Sequence, residues 1–367
     1  MTEKARIKAE LASGIKDYLP KDMIPRQRMF DRIRMTFERF GFVPLDTPAL
    51  EKIDVLTGGD PDFRMQIFRA GVKDLSEELA LRFDLTVPLA RVIAQYGGEI
   101  SRPFKRYQTG KVWRGEKSQA GRYREFVQFD ADIVGSARIS ADSEIIALMF
   151  ETLRNLEVEK FLIRVNNRKV LNGLPDFAGF DPAMLNQVLR QIDKLDELGW
   201  ENISGQMSEV DGISLEALSA LKSFLELRSV DKKETVSELR RLMNRSEIAM
   251  EGIKEFEEII KNLESLGVPD EQWSIDLSVA RGLDYYTGPV FETILLDLPS
   301  IGSVFSGGRY DDLVARYGGG SVPATGASVG VDRLFTALKK LGQIKECKSL
   351  AAVCVLNFDP DGEAVCN

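Results

Sequence analysis

The stretch ARGLDYYTGPVFE, residues 280–292, sets Arg281, Asp284 and the adjacent Tyr285 and Tyr286 in a turn-like segment between two apolar runs, SIDLSV and VFETILL. Other arginines cluster with glycines. Trp113-Arg114-Gly115-Glu116 closes one β-type run, Arg122 and Arg124 stand at the far end of the link after it, and GGRYD (307–311) and GASVGVDRL (326–334) add Arg309 and Arg333. A guanidinium presents a planar fork of donors matched to phosphate and carboxylate oxygens, and glycine permits close backbone approach. The pattern points to anion chemistry built on arginine, although Arg309 and Arg333, taken singly, are expected to be exposed residues of Gly-rich turns. No GxxxxGK[ST] run is present and no GxGxxG follows a strand, so a nucleotide site would be arginine-based. The chain contains 0 histidines, which excludes Ser-His-Asp hydrolysis, Cys-His proteolysis and His-ligated zinc.

These residues need elements to hold them. KDYLPKDMIPRQ opens an amphipathic helix with Phe30, Ile33, Phe37 and Phe40 on one stripe, ended by Gly41 before the strand-like FVPLDTPALE. Further on, KRYQTGKVWRGE and YREFVQFDADIVG are β-type runs joined by the polar link KSQAGR, which predicts an antiparallel pair with a long loop. In the second run, alternation assigns Val127, Phe129, Ala131 and Ile133 to one face, the core, and Phe126, Gln128, Asp130 and Asp132 to the other. From this strand alone the polar face is expected to be an ordinary solvated one. Asp84 stands where it could cap the helix that DLTVPLARVIA starts.

Between about Gly173 and Leu266 the pattern is charged and amphipathic (LNQVLRQIDKLDEL, VSELRRLMNR, IKEFEEIIKNLESLG), with no strand of any length, which predicts an α-helical insertion. Strands then resume through SVFSGGRYDDLVARYGG to a last helix beginning near Val331. At 367 residues and 44% hydrophobic content the chain can bury a sizeable core, with more than one domain expected. Lys+Arg 49 against Asp+Glu 57 gives a net charge of -8, so nucleic acid would have to be met by a local patch. Cys347, Cys354 and Cys366 form no CxxC pair and fit a reducing compartment. No apolar run approaches the roughly 20 residues that span a bilayer, so no membrane partner is expected and the localisation expected is cytoplasmic.

The combination of GFVPLDTPALE (41–51), the Arg114-to-Gly135 hairpin and the Gly326-to-Leu334 turn resembles the three signature motifs of class II aminoacyl-tRNA synthetases. LRFDLTVPLAR, QAGRYREFVQFDADIVG, RVNNRKVLNG and ARGLDYYTGPVFE narrow the resemblance to the histidyl-tRNA synthetases, from about Gly14 to Leu341. It implies an α+β class II catalytic fold, an antiparallel sheet flanked by helices, at 1–172 and 266–345, with the insertion at 173–265 against the tRNA acceptor arm. Residues 346–367 would begin a C-terminal anticodon-binding domain, truncated or absent, because about 20 residues cannot bury a core of their own.

The implied activity is ATP-dependent activation of L-histidine to histidyl adenylate and transfer to tRNA(His), by a homodimer joined through GFVPLDTPALE, with Mg²⁺ accompanying ATP through ligands the sequence does not name. The resemblance implies that Arg114 and Arg281 are catalytic, both meeting the substrate carboxylate and the α-phosphate. Asp84, Leu85, Thr86, Gln128, Asp132, Tyr285 and Tyr286 would hold histidine, with Asp132 accepting from the imidazole and Asp84 and Thr86 meeting the α-amino group. Glu116, Arg122, Phe126 and Arg333 would join Arg114 in binding ATP, Phe126 stacking on the adenine and Arg333 covering its other face. The rival reading is a histidine-sensing, non-charging paralogue resembling the regulatory subunit of ATP phosphoribosyltransferase.

Overall fold

The protein is described by a computed structural model covering residues 8–58, 67–71, 76–115, 123–209, 212–227, 231–282, 286–318, 320–351, 353 and 356. In chain order the elements are α1 (Pro20–Arg39), β1 (Val43–Pro44), β2 (Leu50–Lys52), α2 (Ile53–Thr57), β3 (Arg69–Ala70), β4 (Leu79–Leu81), α3 (Thr86–Tyr96), β5 (Phe104–Trp113), β6 (Glu125–Val134), α4 (Ile139–Asn155) and β7 (Phe161–Asn167). A helical stretch follows, with α5 (Arg168–Asn172), α6 (Leu174–Ala178), α7 (Leu185–Ile192), α8 (Leu195–Ser208), α9 (Leu215–Leu225), α10 (Lys232–Leu242) and α11 (Glu247–Ser265). The chain then returns to β8 (Trp273–Ile275), β9 (Pro289–Leu295), β10 (Phe305–Arg309), β11 (Ala324–Gly330) and α12 (Val331–Lys340).

Eight strands form one sheet in the order β1-β5-β6-β11-β10-β9-β7-β8, and β2-β4-β3 form a small second sheet. The large sheet is antiparallel except at its two ends, where β1 pairs parallel with β5 and β8 parallel with β7. Parallel neighbours need a crossover, and the helical stretch from α5 to α11 supplies the one between β7 and β8. The expected hairpin of β5 and β6 forms in register from Phe104↔Val134 to Trp113↔Glu125.

The apolar face of β6 is covered as its alternation requires. Met29, Ile33 and Phe37 recur at helical spacing on α1 and are buried. The Phe37 ring meets Phe129 edge-on with centroids 5.1 Å apart. Burying each such side chain stabilises the fold by about 1.5–3 kcal/mol. Gly41, just past the end of α1, takes φ 81°, a backbone setting that side chains disfavour, and so turns the chain into β1. Among the described residues no helix is long and apolar enough to cross a membrane.

Arg309 departs from the exposed-turn expectation. It ends β10 at 4% side-chain exposure, paired with the fully buried Asp142 in the first turn of α4 and donating to the Ser136 carbonyl at 3.0 Å. It also reaches Asp311, which is 29% exposed, at 3.3 Å. Its charge is spent on tying strand to helix. Asp142→Ala should therefore cost about 3–5 kcal/mol in urea unfolding, because it leaves a buried guanidinium with only the partly exposed Asp311 as counter-charge, whereas Asp311→Ala should cost about 1 kcal/mol or less.

Candidate active site

The polar face of β6 is not solvated: Gln128, Asp130 and Asp132 are 7%, 2% and 3% exposed. Their neighbours on the same rungs explain how. Asp132 faces Arg106 on β5 and Gly326 on β11; Asp130 faces Gln108 and Ser328. Arg106, wholly buried, brings Nη2 to 2.7 Å from Asp132 Oδ2 and donates to the Leu85 carbonyl at 3.2 Å. The Tyr310 hydroxyl donates to Asp132 Oδ1. A Cβ at Gly326 would stand 2.0 Å from that same oxygen, so the carboxylate needs glycine opposite it. Gln128 Nε2 donates to Ser328 Oγ at 2.8 Å, while Gln128 Oε1 and Asp130 Oδ1 are buried and have no hydrogen-bond partner among the described residues.

Three segments wall this floor. At the start of α3, Asp84 Oδ1 accepts from the Val87 N–H at 3.0 Å, the capping role anticipated for it. Arg114, just past β5, donates from Nε to the Phe83 carbonyl at 3.0 Å and lies over the Phe126 ring, 5.2 Å from its centroid. Arg281 Nε sits 2.6 Å from Glu292 Oε2 on β9. In the same segment Gly282, at φ 63°, would bring a Cβ to 2.0 Å from the Tyr286 ring. Glycine is thus what lets Tyr286 fold back over the site.

Two cavities result. The smaller, about 190 Å³, is lined by Asp84, Thr86, Gln128, Asp130, Asp132, Tyr286 and Tyr310 together with Arg114 and Arg281. Its carboxylates and arginines suit a small ligand carrying both charges. The wider, about 320 Å³, is lined by Tyr123, Phe126, Ser303, Gly330, Asp332 and Arg333, and shares Arg114, Gln128 and Arg281 with the first. Two arginines thus stand where the cavities meet. In the wider cavity Arg333 Nη1 donates to the Ser303 carbonyl at 2.5 Å. The adjacent Asp332 accepts from Tyr18 Oη at 2.6 Å, Arg26 Nη2 at 2.7 Å and the Val127 N–H at 2.7 Å. The first turn of α12 is thereby fixed to α1 and β6.

Of the residues picked out from the sequence, Asp84, Thr86, Arg114, Gln128, Asp132, Arg281 and Tyr286 line the smaller cavity, and Phe126 and Arg333 the wider. Leu85 is fully buried and lines neither; its carbonyl serves Arg106. Glu116, Arg122 and Tyr285 lie outside the described residues. Sequence reasoning missed Arg106, Tyr310 and Glu292. Tyr310 was legible only as the neighbour of Arg309 in GGRYD, and Arg106 only as one residue of a strand-like run.

A family model described as histidyl-tRNA synthetase matches residues 14–334. The chain belongs to the histidyl-tRNA synthetase family. A histidine–tRNA ligase of Clostridium tetani is 41% identical over 94% of this chain and 78% of that protein. A crystal structure of histidyl-tRNA synthetase from Nostoc sp. superposes with TM-score 0.87 at 32% identity, over 98% of this chain and 82% of that one. A structure from Bacillus halodurans, described as an ATP phosphoribosyltransferase regulatory subunit/histidyl-tRNA synthetase, gives TM-score 0.77 at 26% identity, over 90% and 83%. The histidyl-tRNA synthetase fold expected here, an α+β arrangement with a mostly antiparallel sheet flanked by helices, is the one found.

In this member of the histidyl-tRNA synthetase family the acidic floor is electrostatically poised. Burial pushes the Asp84 carboxyl up to about 6, against the Val87 N–H and nearby Arg114 and Arg106. Burial pushes Asp130 up to about 7, with Arg106 drawing it down and Asp132 adding to the rise. Asp132 is also raised by burial, and Arg106 and Tyr310 pull it back. The folded state therefore holds protons on Asp84 and Asp130 that unfolded carboxyls, titrating near about 4, have released. Their contribution to ligand-free stability is full below pH of about 4 and is lost as pH rises through about 6 and 7. Asp130→Asn should flatten that decline, by up to about 1.4 kcal/mol per pH unit between about pH 5 and 7, in urea unfolding followed across pH.

Proposed function

We propose that the protein activates L-histidine with ATP to histidyl adenylate and pyrophosphate and then transfers the histidyl group to the 3′ end of tRNA(His). The single observation that carries this reading is the pair of adjoining cavities with Arg114 and Arg281 at their junction. In the first step a carboxylate oxygen of histidine attacks the α-phosphorus, the bond to the pyrophosphate oxygen breaks, and negative charge builds on the phosphoryl oxygens. Fixed guanidinium groups stabilise that charge without proton transfer. In the second step a ribose hydroxyl of the tRNA attacks the carbonyl carbon, the bond from that carbon to the phosphate oxygen breaks, and AMP leaves with the hydroxyl proton on its phosphate.

The roles are those the family resemblance implies, and the lining of the two cavities supports them. Asp84 and Thr86 take the α-amino group, Arg114 and Arg281 the carboxylate and α-phosphate, and Gln128, Asp132 and Tyr286 the imidazole. Tyr310, by holding Asp132, keeps its carboxylate aimed at a ring N–H. An imidazole satisfies these buried polar groups and an apolar side chain leaves them unpaired, which is how such a site discriminates. Phe126 and Arg333 would bracket the adenine, with Glu116, Arg122 and Tyr285 keeping the roles their motifs imply. On this reading residues 1–172 and 266–345 are the catalytic unit and 173–265 the insertion facing tRNA. The exposed Val43 and Leu50 of β1 and β2 belong to a homodimer interface.

Mg²⁺ would come with ATP, which commonly carries it on phosphate oxygens and water. Among the described residues there is no group of three or more acidic or sulfur ligands that could hold a metal ion. Asp332, in the wider cavity, already has Tyr18, Arg26 and the Val127 N–H as partners. No step is therefore assigned to a protein-held metal.

Likeness to the Bacillus halodurans structure keeps one rival, a subunit that binds histidine and charges nothing. Histidine-dependent ATP–pyrophosphate exchange separates the two, since the synthetase exchanges and the sensor does not. Within the synthetase reading, Arg281→Ala should lower exchange turnover by about 10²-fold or more with the fold intact. Asp84→Asn should raise KM for histidine about tenfold and leave KM for ATP unchanged. Absence of exchange in the purified wild-type protein would sink the proposal.

A further inference from the structure

Arg281 is 40% exposed in its side chain, and a cation so open would be free to wander without an anchor. Glu292, 2% exposed, supplies one through Oε2 at 2.6 Å. Its other oxygen is held elsewhere. Glu292 faces Arg164 directly across the β7–β9 pair, and Arg164 Nη1 lies 3.3 Å from Glu292 Oε1. Arg164 is itself buried and surrounded by acidic and hydroxyl partners: Nε is 2.9 Å from Asp276 Oδ2, Nη2 donates to Ser278 Oγ at 2.8 Å, and Nη1 lies 2.6 Å from Asp196 Oδ2. Asp196 belongs to the first turn of α8, in the helical stretch, and is 59% exposed. One carboxylate is thus shared between two guanidinium groups, one structural and one facing both cavities, and the structural one is also gripped from a helix outside the sheet.

We propose that Glu292 is a positioning residue for Arg281, and that the Arg164–Asp196 pair makes its hold depend on the placement of α8. While Asp196 occupies Arg164 Nη1, Glu292 is free to serve Arg281. When α8 shifts and Asp196 withdraws, Arg164 draws Glu292 toward itself and Arg281 loosens. The helical stretch and the site are coupled through this chain of three contacts, beside a longer direct one from Arg281 Nε to Asp193 Oδ1, at the end of α7, at 4.0 Å. The inference rests on the reading that Arg281 meets the carboxylate of histidine.

The test compares equilibrium binding of L-histidine with that of L-histidinol, which lacks the carboxylate and so makes no demand on Arg281. The preference for histidine should fall about fivefold or more in Glu292→Gln and about twofold or more in Asp196→Ala, with histidinol affinity unchanged. Combined with Arg281→Ala, neither substitution should lower the preference further. A network that is only structural would weaken both ligands alike, or would add to the effect of Arg281→Ala, and either result overturns the relay. So does a wild-type preference in both Glu292→Gln and Asp196→Ala while Arg281→Ala has lost it. If Arg281→Ala itself keeps the preference, the role given to Arg281 falls, and this is distinct from failure of the relay alone. Should Glu292→Gln fail to fold, the exposed Asp196→Ala decides.

Discussion

The Arg106–Asp132 pair is the constraint on which the site depends. Both side chains are buried, at 0% and 4% exposure, and they stand opposite one another on adjacent strands. A slip of one residue in the β5–β6 register would send every side chain of one strand to the other face and leave both charges uncompensated. Desolvating such a pair is expensive, and its mutual attraction offsets the cost only with good geometry and further hydrogen bonds. Tyr310 donates to one carboxylate oxygen, and Arg106 makes a second contact with the Leu85 carbonyl. Through those two groups the pair fixes the relation of three elements, β6, the loop after β10 and the entry to α3.

From that floor outward, the other features are conditions for close approach. Gly326 clears space beside Asp132 and Gly282 clears space for the Tyr286 ring. Arg114 is set by the Phe83 carbonyl and the Phe126 face, and Arg333 by the Ser303 carbonyl. Each arginine lining the cavities has a strand, carbonyl or carboxylate holding it before any ligand arrives. In the proposed reaction that preorganisation would stabilise developing charge without reorganisation.

Much of this was legible in the sequence. The alternation in YREFVQFDADIVG placed Phe129, Ala131 and Ile133 in the core, the helix signals bounded α1 and α12, and the family motifs picked out residues that line the two cavities. The burial of Gln128, Asp130 and Asp132 was not legible, because a period of two says which residues share a face but not what covers that face. The covering comes from the entry to α3 and from Arg281, Gly282 and Tyr286, far away in sequence. Arg309 departs from the exposed turn expected of it for the same reason: its partner Asp142 lies on another element, and spacing within GGRYD carries no trace of it. Arg106, Arg164 and Glu292 escaped notice as single charges in strand-like runs, since their meaning lies in cross-strand register.

The polar face of β6 is proposed to receive an imidazole. A crystal structure of the protein with L-histidine bound tests it most directly. The ligand is expected in the smaller cavity, with a ring nitrogen within about 3.2 Å of an Asp132 oxygen and its carboxylate toward Arg114 and Arg281. Histidine bound elsewhere, or seated there with its ring turned away from Asp132, would contradict it.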